Sequence, residues 1–87
     1  MNYIARKYRY ADGKAYRPNI YVIYEADGIR SVGGAVVLGD KALAYAGHPG
    51  LCQDKVADII KRADAYAWGN TIQEALAKIK PALNGEL

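Results

Sequence analysis

The residues that could do chemistry fall into three groups. Cys52 stands four positions after His48, in HPGLC, near the start of an apolar helical pattern. A helix N-terminus and a nearby imidazole both favour thiolate, so the pair could form an activated nucleophile. No third group stands at a spacing that would orient the imidazole. A cysteine in an apolar stripe is ordinarily a small buried side chain, and His48 before Pro49 is expected to cap a backbone group in a loop. Asp54, Asp58 and Asp64 form the second group. With Lys55, Lys61 and Arg62 beside them, they read as a solvated helix face carrying ion pairs three and four residues apart, Asp58 with Lys61 and Arg62 among them. A carboxylate pair for acid–base work is not expected.

The third group is YRYADGKAYR, residues 8–17. The formal charge of the chain is +3, but residues 1–24 hold Arg6, Lys7, Arg9, Lys14 and Arg17 against Asp12 alone. Residues 25–87 hold seven bases and eight acids, so the positive excess lies in the first quarter of the chain. Six of the eight tyrosines lie there too. A basic patch interleaved with aromatic rings is one footprint of nucleic-acid binding: Lys7, Arg9, Lys14 and Arg17 would neutralise phosphates, and Tyr3, Tyr16 and Tyr24 would stack bases. Tyrosine and arginine also dominate protein-interface hot spots. The plain alternative is an exposed hairpin, because tyrosine forms strands well and carries a polar tip. Neither a metal nor a cofactor is implied. Cys52, His48 and the nearby carboxylates lack metal-ligand spacing, and GGAVVLGD lacks both Walker spacing and a helix directly after it.

These residues must be held by strands. Asp12-Gly13 and Asp27-Gly28 each follow an alanine and lie between β-rich runs, the pattern of a type I′ hairpin. Gly39-Asp40 puts glycine first, which suits type II′. Runs rich in Tyr, Ile and Val surround them at about 2–11, 14–26, 29–38 and 41–46, giving a four-stranded antiparallel meander. Tight turns set the register. Ala26 pairs with Ile29, Glu25 with Arg30 and Ile23 with Val32. Leu38 pairs with Lys41 and Val36 with Leu43. Tyr8 pairs with Arg17, Arg9 with Tyr16 and Ile4 with Tyr21. Alternation then gives a bulky face of Ile4, Tyr8, Tyr10, Tyr21, Ile23, Val32, Val36, Leu38, Leu43 and Tyr45. The opposite face carries Tyr3, Ala5, Lys7, Arg9, Tyr16, Ile20, Val22, Tyr24, Ser31, Ala35, Val37, Ala42 and Ala44. Pro18 cannot donate to a ladder, so it implies an edge or a bulge; if KAYRPN is a loop, the facing of the first strand against the second inverts. Gly33-Gly34 in mid-strand suggests a bend or the close approach of another backbone, such as a helix crossing the sheet.

After GHPG the period changes. Cys52, Val56, Ile59, Ile60, Ala63 and Ala67 lie on one helical stripe. Gly69-Asn70 closes that helix as a left-handed cap. Trp68, near its end, is expected to close the core. Thr71 and Glu74 form a capping box for a second helix, with Ile72, Ala75, Leu76, Ile79 and Leu83 on its apolar side and Pro81 ending or kinking it. The fold class is α+β: a four-stranded antiparallel meander followed by two helices packed on one sheet face, ββββαα, as a single domain over 1–87. The remaining sheet face, with Ile20, Val22, Tyr24, Ala35 and Val37, is too apolar for water and suggests a homodimer.

GNTIQEALAKIKPAL resembles the helix-opening segment of HicB-type antitoxins, in which a glycine-polar-threonine stretch precedes a glutamate-alanine-leucine helix. The resemblance covers about fifteen residues. In that family the strands lead directly into the segment, whereas the helical reading of residues 52–67 intervenes here, and no function is carried over. The succession strand-strand-strand-strand-helix is similar to the format of Whirly-type single-stranded-DNA binders, a likeness of architecture that does not decide function.

No apolar run approaches the roughly 18–20 residues of a membrane span, and MNYIARKYRY lacks the apolar stretch of a signal peptide, so a cytoplasmic protein is expected. The expected function is non-catalytic: surface contact with a larger protein or complex. This suits the general format of phage or mobile-element inhibitors, anti-CRISPR proteins among them, by size and style alone. Single-stranded nucleic-acid binding by the tyrosine–cation face is the alternative.

Overall fold

The computed structural model describes residues 2–9 and 16–85, with residues 16–18 described by their backbone alone. The β-rich runs form strands β1 (Tyr3–Arg9), β2 (Tyr16–Glu25), β3 (Ser31–Leu38) and β4 (Lys41–Ala46). A 3-10 helix (Pro49–Gln53), helix α1 (Val56–Arg62), strand β5 (Ala65–Gly69) and helix α2 (Ile72–Leu83) follow. The strands pair antiparallel in the order β1-β2-β3-β4-β5. The α+β class, the antiparallel meander and two helices packing on the sheet agree with the sequence reading. The Asp12-Gly13 turn lies outside the described residues.

The fifth strand is a difference from that reading. The expected long helix is broken at Asp54, which is extended (φ −85, ψ 171), and α1 ends at Arg62. From Ala63 onward the chain carries two periods at once. Ala63 and Ala67 fit the helical stripe, but with Ala65 they also alternate with Asp64, Tyr66 and Trp68. The open edge of β4 selects period two, because its backbone groups need partners. Ala46 therefore pairs with Ala65, Tyr45 with Tyr66, Leu43 with Trp68 and Ala42 with Gly69. As a result β5 runs straight into the Asn70–Thr71 cap of α2. Gly69 is not a left-handed cap. A Cβ there would lie 2.7 Å from the Ala75 nitrogen, so glycine lets the first turn of α2 close onto the strand.

The helices do not share a face, which corrects the expected one-sided packing. The 3-10 helix and α1 cover the bulky side: Leu51, Cys52 and Ile59 are buried with Ile20, Val22, Val36, Leu43 and Tyr45. Helix α2 covers the other side, where Ala75 and Ile79 are buried with Ile23, Ala35 and Ala44, and Ala67 packs against them. Side-chain size sorts the layers. Alanines at 35, 44, 67 and 75 let the axis of α2 approach the sheet closely, while the larger side chains of the other side pack against the 3-10 helix and α1. Both sheet faces are apolar, and each acquires a cover. The residues on which the homodimer expectation rested are divided between these two faces, Ile20 and Val22 buried with the 3-10 helix and α1 and Ala35 with α2, so they do not form one exposed face.

Two bulges explain why β2, and with it Ser31 and Val32 at the start of β3, face opposite to expectation. Ile23 pairs with Gly33 but Tyr24 with Ser31, so Val32 is an extra residue in β3. Lys7 pairs with Tyr21 but Arg9 with Tyr16, so two steps along β1 match five along β2. The extra residues fall around Pro18 and Asn19, the latter at φ 69, a conformation asparagine tolerates. Each shift is odd, so Ile20, Val22 and Tyr24 turn to the bulky side and Tyr21 and Ile23 to the α2 side. The two shifts together are even, so β1 keeps its expected facing relative to β3 and β4. The pairings of Leu38 with Lys41 and Val36 with Leu43 are as expected, and Gly39 sits at φ 65 as a type II′ turn requires. The turn at Asp27-Gly28 is not type I′, since only Gly28 has positive φ; the Asp27 carboxylate instead accepts from the Ile29 N–H at 2.9 Å. No helix among the described residues is long and apolar enough to cross a membrane.

Candidate binding surface

Strand β1 is an edge of the sheet, and its second half is cationic. Alternation puts Arg6 and Lys7 on opposite sides of the strand, but at an edge both border the same space. Arg6, Lys7, Arg9 and Tyr24 line one open concavity of about 570 Å³. Arg6, Lys7 and Arg9 are exposed and Tyr24 is half-buried. The Arg6 guanidinium lies over the Tyr24 ring, 5.7 Å from its centroid, held by the attraction of a cation for the negative face of the ring. Arg6 reaches this position because the two odd bulges turn Tyr24 to its side of the sheet. Simple alternation from tight turns puts the two apart, and so hides Arg6 from a reading of the sequence.

The structure thus brings Lys7, Arg9 and Tyr24 together and adds Arg6. Arg9 pairs with Tyr16 along the strands, the register that a tight turn at Asp12-Gly13 implies. Lys14 lies outside the described residues, and the side chains of Tyr16 and Arg17 do too. Tyr3 belongs to another environment. Its ring packs with the α2 layer and its hydroxyl donates to Asn84 Oδ1 at 2.5 Å, pinning β1 to the end of α2.

The remaining candidates take structural places. Cys52 is 1% exposed and packs among the bulky-side core residues. His48 Nδ1 accepts the Gly50 N–H at 3.0 Å, capping the 3-10 helix as expected. Arg62 pairs with Asp54 at 3.4 Å, rather than with Asp58. Trp68 is not a core closer. At 37% exposure it stands on edge strand β5, opposite Leu43 in the ladder and on the same side of the sheet as Tyr66, at 46%. The helical reading of residues 52–67 misplaced it, and the alternation of Ala65–Gly69 is the signal that would have found it.

Comparison with protein-family models, curated proteins and solved structures finds no match.

Proposed function

We propose that the protein is a non-catalytic binding domain that contacts a larger protein or complex through the cationic β1 edge, at an acidic patch of the partner. One observation carries this reading: Arg6, Lys7 and Arg9 converge with Tyr24 on a single concavity whose described lining contains no carboxylate. Like charges on an edge strand also discourage pairing with a second copy, which leaves side chains rather than backbone to make the contact. Arginine beside tyrosine is the composition of an interface anchor.

The same cations suit a nucleic-acid backbone, but the rings bear on the choice. Base stacking on this surface calls for exposed tyrosine faces. Tyr24 has Arg6 over its ring, and Tyr3 is packed toward α2 with its hydroxyl bonded to Asn84. Among the described rings, that favours protein over single-stranded nucleic acid. Inhibitors of larger complexes, in the style of anti-CRISPR proteins, would use such a surface.

The test has two arms. Capture from a lysate of the native source, quantified by mass spectrometry, is run with the wild type, Lys7→Glu/Arg9→Glu and the control Lys61→Glu. The expected result is a partner retained by the wild type and the control and lost from the double variant. In the second arm a labelled single-stranded oligonucleotide is titrated across salt. Micromolar binding that weakens steeply with salt would replace the protein reading with the nucleic-acid one.

A further inference from the structure

A second concavity lies at the other edge of the sheet, on residues separate from the β1 surface. Lys41, Trp68, Gly69, Asn70 and Lys78 line it, with a volume of about 380 Å³. Three features give it a chemical character. The exposed Trp68 indole supplies a flat apolar wall. Lys41 and Lys78 supply two ammonium groups, and no carboxylate is among the described lining residues. Glu74, next to this lining, has its Oε2 on the Asn70 N–H at 2.8 Å, in its capping role.

The third feature is the placement of Lys78. Its Nζ donates to the Trp68 carbonyl at 2.7 Å. That bond uses one of three ammonium protons and leaves two to donate. It also holds a long side chain in position, so less rotamer freedom is lost when a ligand arrives. The same bond takes one of the two lone pairs of a β5 carbonyl, so an added strand would have to share that carbonyl with Lys78. A ligand here is held by side chains.

We propose that this cleft binds an acidic peptide segment of a partner protein, with an apolar side chain against Trp68 and carboxylates on Lys41 and Lys78. Charge complementarity selects the occupant: two cations flank an indole with no acid in the lining, and charge-assisted hydrogen bonds to carboxylates are the strong ones. The proposal does not depend on the β1 edge. It goes beyond that surface by giving the protein a second contact with its own specificity.

Trp68 is the chain's single tryptophan, so its fluorescence reports on this cleft alone. The probes are the capped peptide Asp-Glu-Leu-Asp-Glu, its neutral counterpart Asn-Gln-Leu-Asn-Gln, and an oligothymidylate, each titrated to millimolar concentration at low salt. The expected result is a saturable blue shift with the acidic peptide, weakened by salt and absent with the neutral one. Lys41→Glu and Lys78→Glu should each weaken it by about tenfold or more, on the order of 1.4 kcal/mol, while Lys61→Glu, the same change of charge at an exposed residue outside the cleft, leaves it unchanged. Lys41 is exposed and its place in the ladder is held by backbone, so its variant keeps the test sound if Lys78→Glu disturbs the β5 edge. No shift with the acidic peptide, or an equal shift with its neutral counterpart, overturns the proposal. A larger shift with oligothymidylate overturns it in favour of a nucleotide site, in which the indole stacks a base.

Discussion

Tyr45 is where residue-scale physics is most concentrated. It is fully buried, and its ring lies over Gly34 on the neighbouring strand: a Cβ at that glycine would fall 2.6–2.8 Å from the phenol. Its hydroxyl has carbonyl acceptors at 3.0 Å on His48 and 2.7 Å on Pro49, tying the sheet to the 3-10 helix. The mid-strand glycines are thus explained by a close neighbour, but by β4 and its tyrosine rather than by a crossing helix. Gly34→Ala should cost about 1–3 kcal/mol in urea unfolding, because a buried ring has nowhere to move. Burial pushes the Tyr45 phenol well above the ordinary tyrosine range, with Cys52 and Asp54 adding to the effect. A raised tyrosine means that the folded state holds its proton after the unfolded chain has released it. This contribution to stability is complete below about pH 10, the unfolded value, and is lost progressively as pH rises above it. Tyr45→Phe should cost about 1 kcal/mol at neutral pH for the lost hydrogen bond. Its alkaline decline in melting temperature should be shallower than that of the wild type; an identical decline would show that Tyr45 does not contribute.

Among the elements, α2 shows how a local signal and a tertiary constraint reinforce each other. Thr71 Oγ1 accepts the Glu74 N–H at 3.1 Å while Glu74 reaches back to Asn70, and Pro81 is accommodated within the last helical turn before Leu83. Thr71→Ala should lower stability by about 1 kcal/mol in thermal unfolding, while Glu74→Gln, which keeps an acceptor, should change it less. The capping box, the apolar face of α2 and its start were legible because each depends on residues within one or two turns, whereas Pro81, expected to end or kink the helix, lies inside it. Strand β5 was not, because Ala63–Gly69 satisfies both periods. The preference was made elsewhere, by the unpaired edge of β4. Trp68 moved with it, from an expected place in the core to the wall of a cleft.

For the molecule as a whole, the consequence is a sheet covered on both sides. Strands β3 and β4 are central and lie between two apolar layers, whereas β1 and β5 have an edge toward solvent. Native-state hydrogen exchange should therefore find the slowest amides in β3 and β4 and faster exchange in β1 and β5. If β1 or β5 were as protected as β4, something would cover that edge in solution. Both proposed contacts lie along these outer edges, at opposite ends of the strand order. Lysines and arginines there keep the edges from pairing with one another and at the same time supply the charge that a partner would meet.

The α+β class, the meander, the tight turn at Gly39, the role of His48, the burial of Cys52 and the apolar side of α2 were all determined by the sequence alone. Each follows from nearest-neighbour chemistry: alternation, helical period, turn residues and capping. The concentration of charge in the first quarter of the chain was likewise plain, and with it Lys7 and Arg9. Tertiary structure decided the facing of β2, the partnership of Arg6 with Tyr24, the existence of β5 and the division of the helices between two faces. Those features depend on whole-residue shifts at two bulges and on an open strand edge. A bulge of one residue reverses every side chain beyond it, and an open edge can recruit any segment that tolerates period two. Neither is settled by the residues next to it, so both wait on how the rest of the chain packs.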